Sequence, residues 1–324
     1  MNKMTPAIGL LLVFMVCLSA SCAGGSSAPA FKPLRVEWSL WQGDYTLLVA
    51  NQMGFFKKHG VNVEPVRYES SAQAIPDLAG AKLDGGLFPM SDVVLAASTA
   101  DLKAVLVSDN GGQFSIIGSP DIQSVQALRG KRIGLNLHSS SEMYVSSMLE
   151  SGRMTSNDVT YVEMSPDQVL KAIPGQIDAG VVWEPYTSQA LQQGKNILYQ
   201  SEYDSSLIPR MLVFRKALVD QRPNDIRAFI LAWEEAVNYR ISNPQESLAI
   251  ISKVTGLTAS DLNLSQEYSI YTIKDNTKLF GNTLGNDPSS IYFIARSNRN
   301  FLITMGYITN PPDVGALLDP TYLK

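Results

Sequence analysis

Beyond residue 22 the chain has no cysteine; its only two, Cys17 and Cys22, lie near the start. For the body of the protein this excludes a disulfide framework, an iron–sulfur cluster, a cysteine-ligated zinc site and thiol catalysis. Histidine is almost as scarce, with His59 and His138 alone, which leaves little for a histidine-rich metal site. No metal and no cofactor is expected. Charge is sparse as well: 17% of residues are charged, the net charge is −4, and Lys and Arg are scattered. Binding to a phosphate backbone needs a concentrated basic footprint, so nucleic acid is not expected as a partner. After the first apolar run no segment approaches the ~20 apolar residues that a spanning helix needs. No G-x-S-x-G elbow, H-E-x-x-H pair or G-x-G-x-x-G loop occurs, and enzymatic templates are therefore unsupported.

What is present begins with a leader. Lys3 supplies one positive charge, residues 8–18 form an apolar run, and Ser19-Ala20-Ser21 are small residues of the cleavage type, the pattern of a signal peptide over 1–21. Cys22 follows directly, and 23–29 are mostly Gly, Ala and Ser. The arrangement resembles a bacterial lipobox, with Leu18 four places before the cysteine rather than three. It implies lipidation of Cys22, a tether over 22–33 and export to the periplasm or cell surface on a membrane anchor; the alternative is plain secretion. Loss of Lys3 with the leader takes the net charge from −4 to −5.

From residue 33 strand and helix patterns alternate. Strands are predicted at 34–38, 61–68, 81–88 and 102–107, with helices at 45–56, 72–80 and 91–98, the last capped by Ser91 or Asp92. The pattern restarts after 113, with strands at 115–118, 132–135, 159–162, 179–182 and 196–199. The intervening helices fall at 125–130, 140–151, 166–172 and 185–192. Beyond about 214 the chain turns mostly helical, over 225–242, 244–255, 259–271 and 289–305. Such alternation predicts an α/β protein with parallel strands and crossover helices. Two αβ units of about a hundred residues each and a helical last third suggest two lobes.

Several loops at the expected carboxyl ends of strands carry chemistry-bearing residues, and ligands of open α/β sheets bind at such ends. Trp38 and the run Trp41, Gln42, Gly43, Asp44 and Tyr45 offer a stacking wall for a small ligand, or simply core. Ser139, Ser140 and Ser141 open a helix whose free N–H groups suit an anion, or are ordinary caps. Trp183 and Glu184 precede a helix-starting proline, where the carboxylate could hold an amine or offset the helix dipole. Ser91, Asp92, Asp109 and Asn110 add further polar loop groups.

Trp41-Gln42-Gly43-Asp44-Tyr45, then Gly54-Phe55-Phe56-Lys57-Lys58-His59-Gly60-Val61, resembles the opening of solute-binding proteins of nitrate, taurine and aliphatic-sulfonate importers. Gly130-Lys131-Arg132-Ile133-Gly134, Gly175-Gln176-Ile177-Asp178-Ala179, Trp183-Glu184-Pro185 and Gly306-Tyr307-Ile308 follow at matching intervals, so the resemblance runs from about 34 to the C-terminus. It implies a two-lobed periplasmic binding protein fold of type II. Lobe I would comprise 34–113 and 214–324 and lobe II 114–213, with crossovers near 113–115 and 209–214. The implied ligand loops are 41–45, 91–92, 109–112, 139–141 and 183–184. An acidic headgroup would sit on the 139–141 helix start, an amine or polar tail at Glu184, and Trp41 and Tyr45 would form an apolar lid. Residues 110–113, Asn-Gly-Gly-Gln, depart from the family's pattern, in which Tyr, Ser and Asn often precede a Gly. The implied role is that of a monomeric protein delivering a small anionic or zwitterionic solute to an ABC permease and its ATPase. A sensor ectodomain, a pyrimidine-precursor binding protein or a pyrimidine-synthesising enzyme are the alternatives, the enzyme disfavoured by the missing cysteine motif.

Overall fold

Among the described residues ten short segments form strands: β1 (Leu34–Trp38), β2 (Val63–Arg67), β3 (Gly85–Pro89), β4 (Leu102–Asp109), β5 (Ser115–Gly118), β6 (Arg132–Leu135), β7 (Thr160–Glu163), β8 (Ala179–Val182), β9 (Asn196–Gln200) and β10 (Arg210–Arg215). The computed structural model describes residues 1, 32–111, 114–200, 209–262, 269–283 and 287–324. The expected signal peptide, Cys22 and the tether up to 31 lie outside the described residues, as do Gly112 and Gln113 at the first expected crossover. All ten strands belong to one contact unit, Pro33–Lys324.

The strands form two five-stranded sheets, one ordered β2-β1-β3-β10-β4 and the other β7-β6-β8-β5-β9. Neither is all-parallel, which corrects the expectation from alternation. β10 runs antiparallel to β3 and β4, and β5 antiparallel to β8 and β9. Both reversed strands are those with which the chain enters a sheet from the other one, so no crossover helix sets their direction. β10 lies wholly in the first sheet, whereas the expected boundary at 213/214 divides it. Its approach to β3 needs glycine: a Cβ on Gly85 would stand 2.5 Å from the Val213 carbonyl oxygen and 2.4 Å from the Phe214 ring.

The helical last third packs on the first sheet, in one core that runs from Leu34 to Leu323 and includes Phe229, Trp233, Ile291 and Leu302. It also covers the edge of that sheet. The buried Asn276 amide accepts from the Val107 N–H at 2.6 Å and donates to the Val107 carbonyl at 2.9 Å, pairing an edge residue as a further strand would. The second sheet has a core on each face, one with Ile116, Val181 and Val145, the other with Ile117, Val182 and Val169. Adjacent residues thus part to opposite faces, as the strand period requires.

Two predicted helices break. The 45–56 pattern splits into Tyr45–Gln52 and Phe55–Lys58 at Gly54, whose φ of +74° suits glycine. Of the 259–271 pattern, Ala259–Leu262 is helical, 263–268 lie outside the described residues and 269–271 are not helical, and the chain turns helical again at Ile273–Gly281 behind a Thr272–Asp275 capping box. Among the described residues no helix is long and apolar enough to cross a membrane.

Candidate functional site

The ends of β1, β3, β6 and β8 deliver loops from both sheets to one small cavity of about 20 Å³. Its wall includes Ser39, Trp41, Ser70, Ser71, Asp92 and Arg210 from the first sheet's side, and Phe114, Asn136, Ser139, Ser140, Ser141 and Trp183 from the second's. Crevices of this kind, at strand carboxyl ends and between lobes, are where open α/β folds bind small molecules.

Arg210 opens β10 and is 4% exposed; Asp44, before helix Tyr45–Gln52, is 0% exposed. The guanidinium donates to both Asp44 oxygens, from Nε at 3.0 Å and from Nη2 at 2.8 Å. Nη2 also reaches Ser39 Oγ at 3.3 Å and the Leu87 carbonyl. This bidentate pair ties the first loop to the returning strand. Burial pushes the Asp44 carboxyl up to about 7, against the pull of Arg210 and Ser39. Glu37, fully buried nearby, is also raised by burial and by Asp44.

Asp92 faces the second lobe from the first turn of helix Met90–Ala97. Its Oδ1 accepts the Ser140 N–H at 2.9 Å and the Ser91 hydroxyl at 3.0 Å, and the Ser71 hydroxyl bonds it as well. The helix Ser140–Ser151 has its own N-cap in Ser139, whose hydroxyl accepts the Ser141 N–H at 3.1 Å, and the carboxylate of the other lobe adds a second acceptor at its start. Burial raises its pKa, and the three hydrogen bonds oppose that. The expectation that Ser91 or Asp92 caps its own helix is corrected: Pro89 holds the N-cap position, because the strand runs straight into the helix.

An aromatic cluster closes one side. Trp41 reaches out of the first lobe into the core of the second, its ring 5.6 Å from Phe114 and 6.1 Å from Trp183, with Phe114 and Trp183 edge-to-face at 5.6 Å. The Trp41 indole N–H donates to Asp109 Oδ1 at 3.2 Å, and the Arg210 guanidinium lies 5.1 Å over its ring. A second bridge lies further along the same helix. The Tyr307 hydroxyl donates to Glu142 Oε1, while Glu142 Oε2 accepts the His138 N–H at 2.8 Å and the His138 ring packs on Tyr307 at 4.5 Å. His138 has φ +56°, in the left-handed region that few non-glycine residues enter.

Of the residues singled out from sequence, Trp41, Asp92, Ser139, Ser140, Ser141 and Trp183 stand in the cavity wall. Among the described wall residues the others are absent. Tyr45 is buried in the first core, and burial raises its phenol. Gln42 is partly exposed, and the Gly43 carbonyl accepts the Thr46 N–H at 3.1 Å. Ser91 serves Asp92. Asp109 ends β4 rather than forming a loop and holds Trp41, Ser108 and Gly111; the Asn110 N–H donates to the Ser269 carbonyl. Glu184 accepts the Ser188 N–H at 3.2 Å and hydroxyl at 3.0 Å, so it caps the helix Tyr186–Gln192 that it precedes. Pro185 is that helix's N-cap residue, not its first helical one.

Sequence reasoning missed Arg210, Phe114, Ser70, Ser71 and Asn136. Phe114 and Arg210 border the crossings between sheets, where no local periodicity singles out a residue. A charged residue opening an apolar strand was the available signal for Arg210. Among the described residues no group of three or more His, Cys, Asp or Glu side chains could hold a metal ion.

Two mixed sheets on either side of a cleft lined from both make an α/β periplasmic binding protein fold, and solved structures of that type match it. The alkanesulfonate-binding protein SsuA of Xanthomonas axonopodis pv. citri, solved bound to MOPS, superimposes with a TM-score of 0.74 at 16% identity, over 89% of this chain and 98% of that one. Residues 44–247 match the family described as NMT1/THI5 like, and the chain belongs to that family. A Bacillus subtilis (strain 168) protein, named as a candidate aliphatic sulfonates-binding protein, is 24% identical over 97% of this chain and 95% of its own length. The taurine-binding periplasmic protein of Escherichia coli (strain K12) is 23% identical over 64% of this chain and 68% of its own.

Proposed function

We propose that the chain is the solute-binding component of an ATP-driven importer. It is exported, anchored through lipid on Cys22, and captures a small solute of the sulfonate, taurine or nitrate class between its two lobes, handing it to a membrane permease without changing it chemically. The observation that carries this reading is the cavity walled from both sheets. A ligand held by groups of both lobes stabilises the state in which those groups are together and so shifts an open–closed equilibrium. The names of the relatives, which are those of binding proteins, support both the ligand class and a role without catalysis. Within that class the buried Asp92 favours a zwitterion over a simple anion, since nitrate or an unsubstituted sulfonate would meet a negative charge in the wall.

A thermal-shift screen of the purified chain against sulfonates, taurine, nitrate, bicarbonate and pyrimidines tests it. A solute present at about a hundred times its dissociation constant adds roughly 2.7 kcal/mol of stability, and the melting temperature rises visibly. Turnover of any of these compounds by the purified chain would overturn the non-enzymatic part.

A further inference from the structure

The charges of the cavity specify more about the solute, on the premise that the chain binds one there. Among the described wall residues only Asp92 and Arg210 are charged, and they differ in what answers them. Arg210 faces a bidentate carboxylate, so its charge is matched by Asp44. Asp92 is 3% exposed, and its partners, the Ser140 N–H and the hydroxyls of Ser91 and Ser71, are all neutral. A buried carboxylate is ordinarily paired with a cation. Here the Arg210 guanidinium acts on the carboxylate only from beyond ion-pair distance, no described cation is in contact with it, and it lines a cavity.

Two consequences follow for the ligand. The first-turn N–H of Ser140, the donor an oxyanion would use at this helix start, already serves Asp92. An anionic headgroup placed there would have to displace a negative side chain or lie against it, in surroundings where water screens little. A positive headgroup meets the opposite sign. The neighbouring surface fits it as well: Trp41, Phe114 and Trp183 cluster beside the carboxylate, and aromatic faces attract cations. The Trp41 ring already has the Arg210 guanidinium 5.1 Å from its centre.

We propose that Asp92 is the specificity residue of the cleft: it bars an oxyanion from the start of helix Ser140–Ser151 and holds a protonated amine or amidinium of the solute, whose carbon skeleton lies against Trp41, Phe114 and Trp183. A zwitterion binds with its amine at Asp92 and its acid group turned away. Glu184, the carboxylate that sequence places for an amine, is turned to Ser188.

The test uses matched probes that share a skeleton: ethylamine, taurine and ethanesulfonate, then benzylamine, benzamidine and benzenesulfonate. Binding to the purified chain is read by calorimetry and by the change in intrinsic tryptophan fluorescence, to which Trp41 and Trp183 contribute. The amine-bearing member of each set should bind more tightly than its sulfonate-only counterpart. In Asp92→Ser the amines should weaken by about tenfold or more, the scale of a lost charge-assisted contact, and the sulfonates should gain, because the Ser140 N–H is released. If Asp92→Ser does not fold, Asp92→Asn carries the same comparison. Sulfonates binding the parent chain as well as the amines do would overturn the assignment to Asp92 and leave solute binding standing. Silence from every probe would overturn both.

Discussion

The Asp92 carboxylate of the first lobe accepts the Ser140 N–H of the second at 2.9 Å, so one lobe adds a cap to the other lobe's helix beside that helix's own N-cap, Ser139. Helix starts leave several N–H groups without intrahelical partners, and a carboxylate is the strongest side-chain answer to them. The contact therefore serves helix stability and, under the proposed clamp mechanism, lobe closure as well. Separating the lobes uncovers both groups to water.

Arg210 is the first residue whose loss should be felt throughout the first lobe. Arg210→Met leaves Asp44, 0% exposed, without its partner, and such orphaned buried charges cost about 3–5 kcal/mol. Removing both charges in Asp44→Asn/Arg210→Met should cost clearly less than the sum of the single changes. Urea unfolding of the four proteins measures the coupling; strict additivity would mean that the pair is not a unit.

Tyr307 joins the last stretch of the chain to helix Ser140–Ser151 through Glu142, outside the cavity. Tyr307→Phe deletes only the hydroxyl, and the site is partly solvated, so about 1 kcal/mol of preference for the closed form should go. Small-angle scattering should then give a larger radius of gyration than the parent's, with little change in melting temperature. An unchanged radius would show that this contact does not hold the lobes together.

Acidity should act on stability in two opposite ways. Glu37, Asp44 and Asp92 have folded-state pKa values above their ordinary ones, with burial the largest cause. Between the ordinary value and the raised one the folded protein holds more protons than the unfolded chain, so stability falls as pH rises through that window. Asp178 and Asp275 are lowered by hydrogen bonds, from the Arg132 N–H and from Thr272 respectively, against their own desolvation. Their contribution is present above about pH 4 and is lost on further acidification. Melting temperature should therefore peak at mildly acidic pH, and Asp44→Asn should flatten its decline toward neutrality. A curve rising steadily from pH 5 to 8 would contradict this.

How far the sequence could be read depended on whether the signal was local. The helix 140–151 and strands such as 34–38, 132–135 and 179–182 agree with the structure residue for residue, because hydrophobic period and caps sit inside each segment. The direction of β10 and β5 was not legible, since no local pattern distinguishes a parallel partner from an antiparallel one. In the cavity, Trp41, Asp92, Ser139 to Ser141 and Trp183 could be picked out as unusual residues at strand ends. That Asp92 would occupy the Ser140 N–H could not, because the two are 48 residues apart and meet only when both lobes are built. Glu184 stayed open between two roles for a related reason: a carboxylate at a helix start is equally suited to a ligand and to its own backbone.

The placement of β10 also bears on how the chain is made. The strand that fills the gap between β3 and β4 is Arg210–Arg215, so during synthesis or passage through a narrow pore, amino end first, the first lobe stays open until the whole second lobe has emerged. Every strand of the second sheet lies between 115 and 200, so that sheet can assemble while its neighbour still waits for its central strand. Any factor that keeps such a chain from clumping in the interval has to cover the exposed edges of β3 and β4.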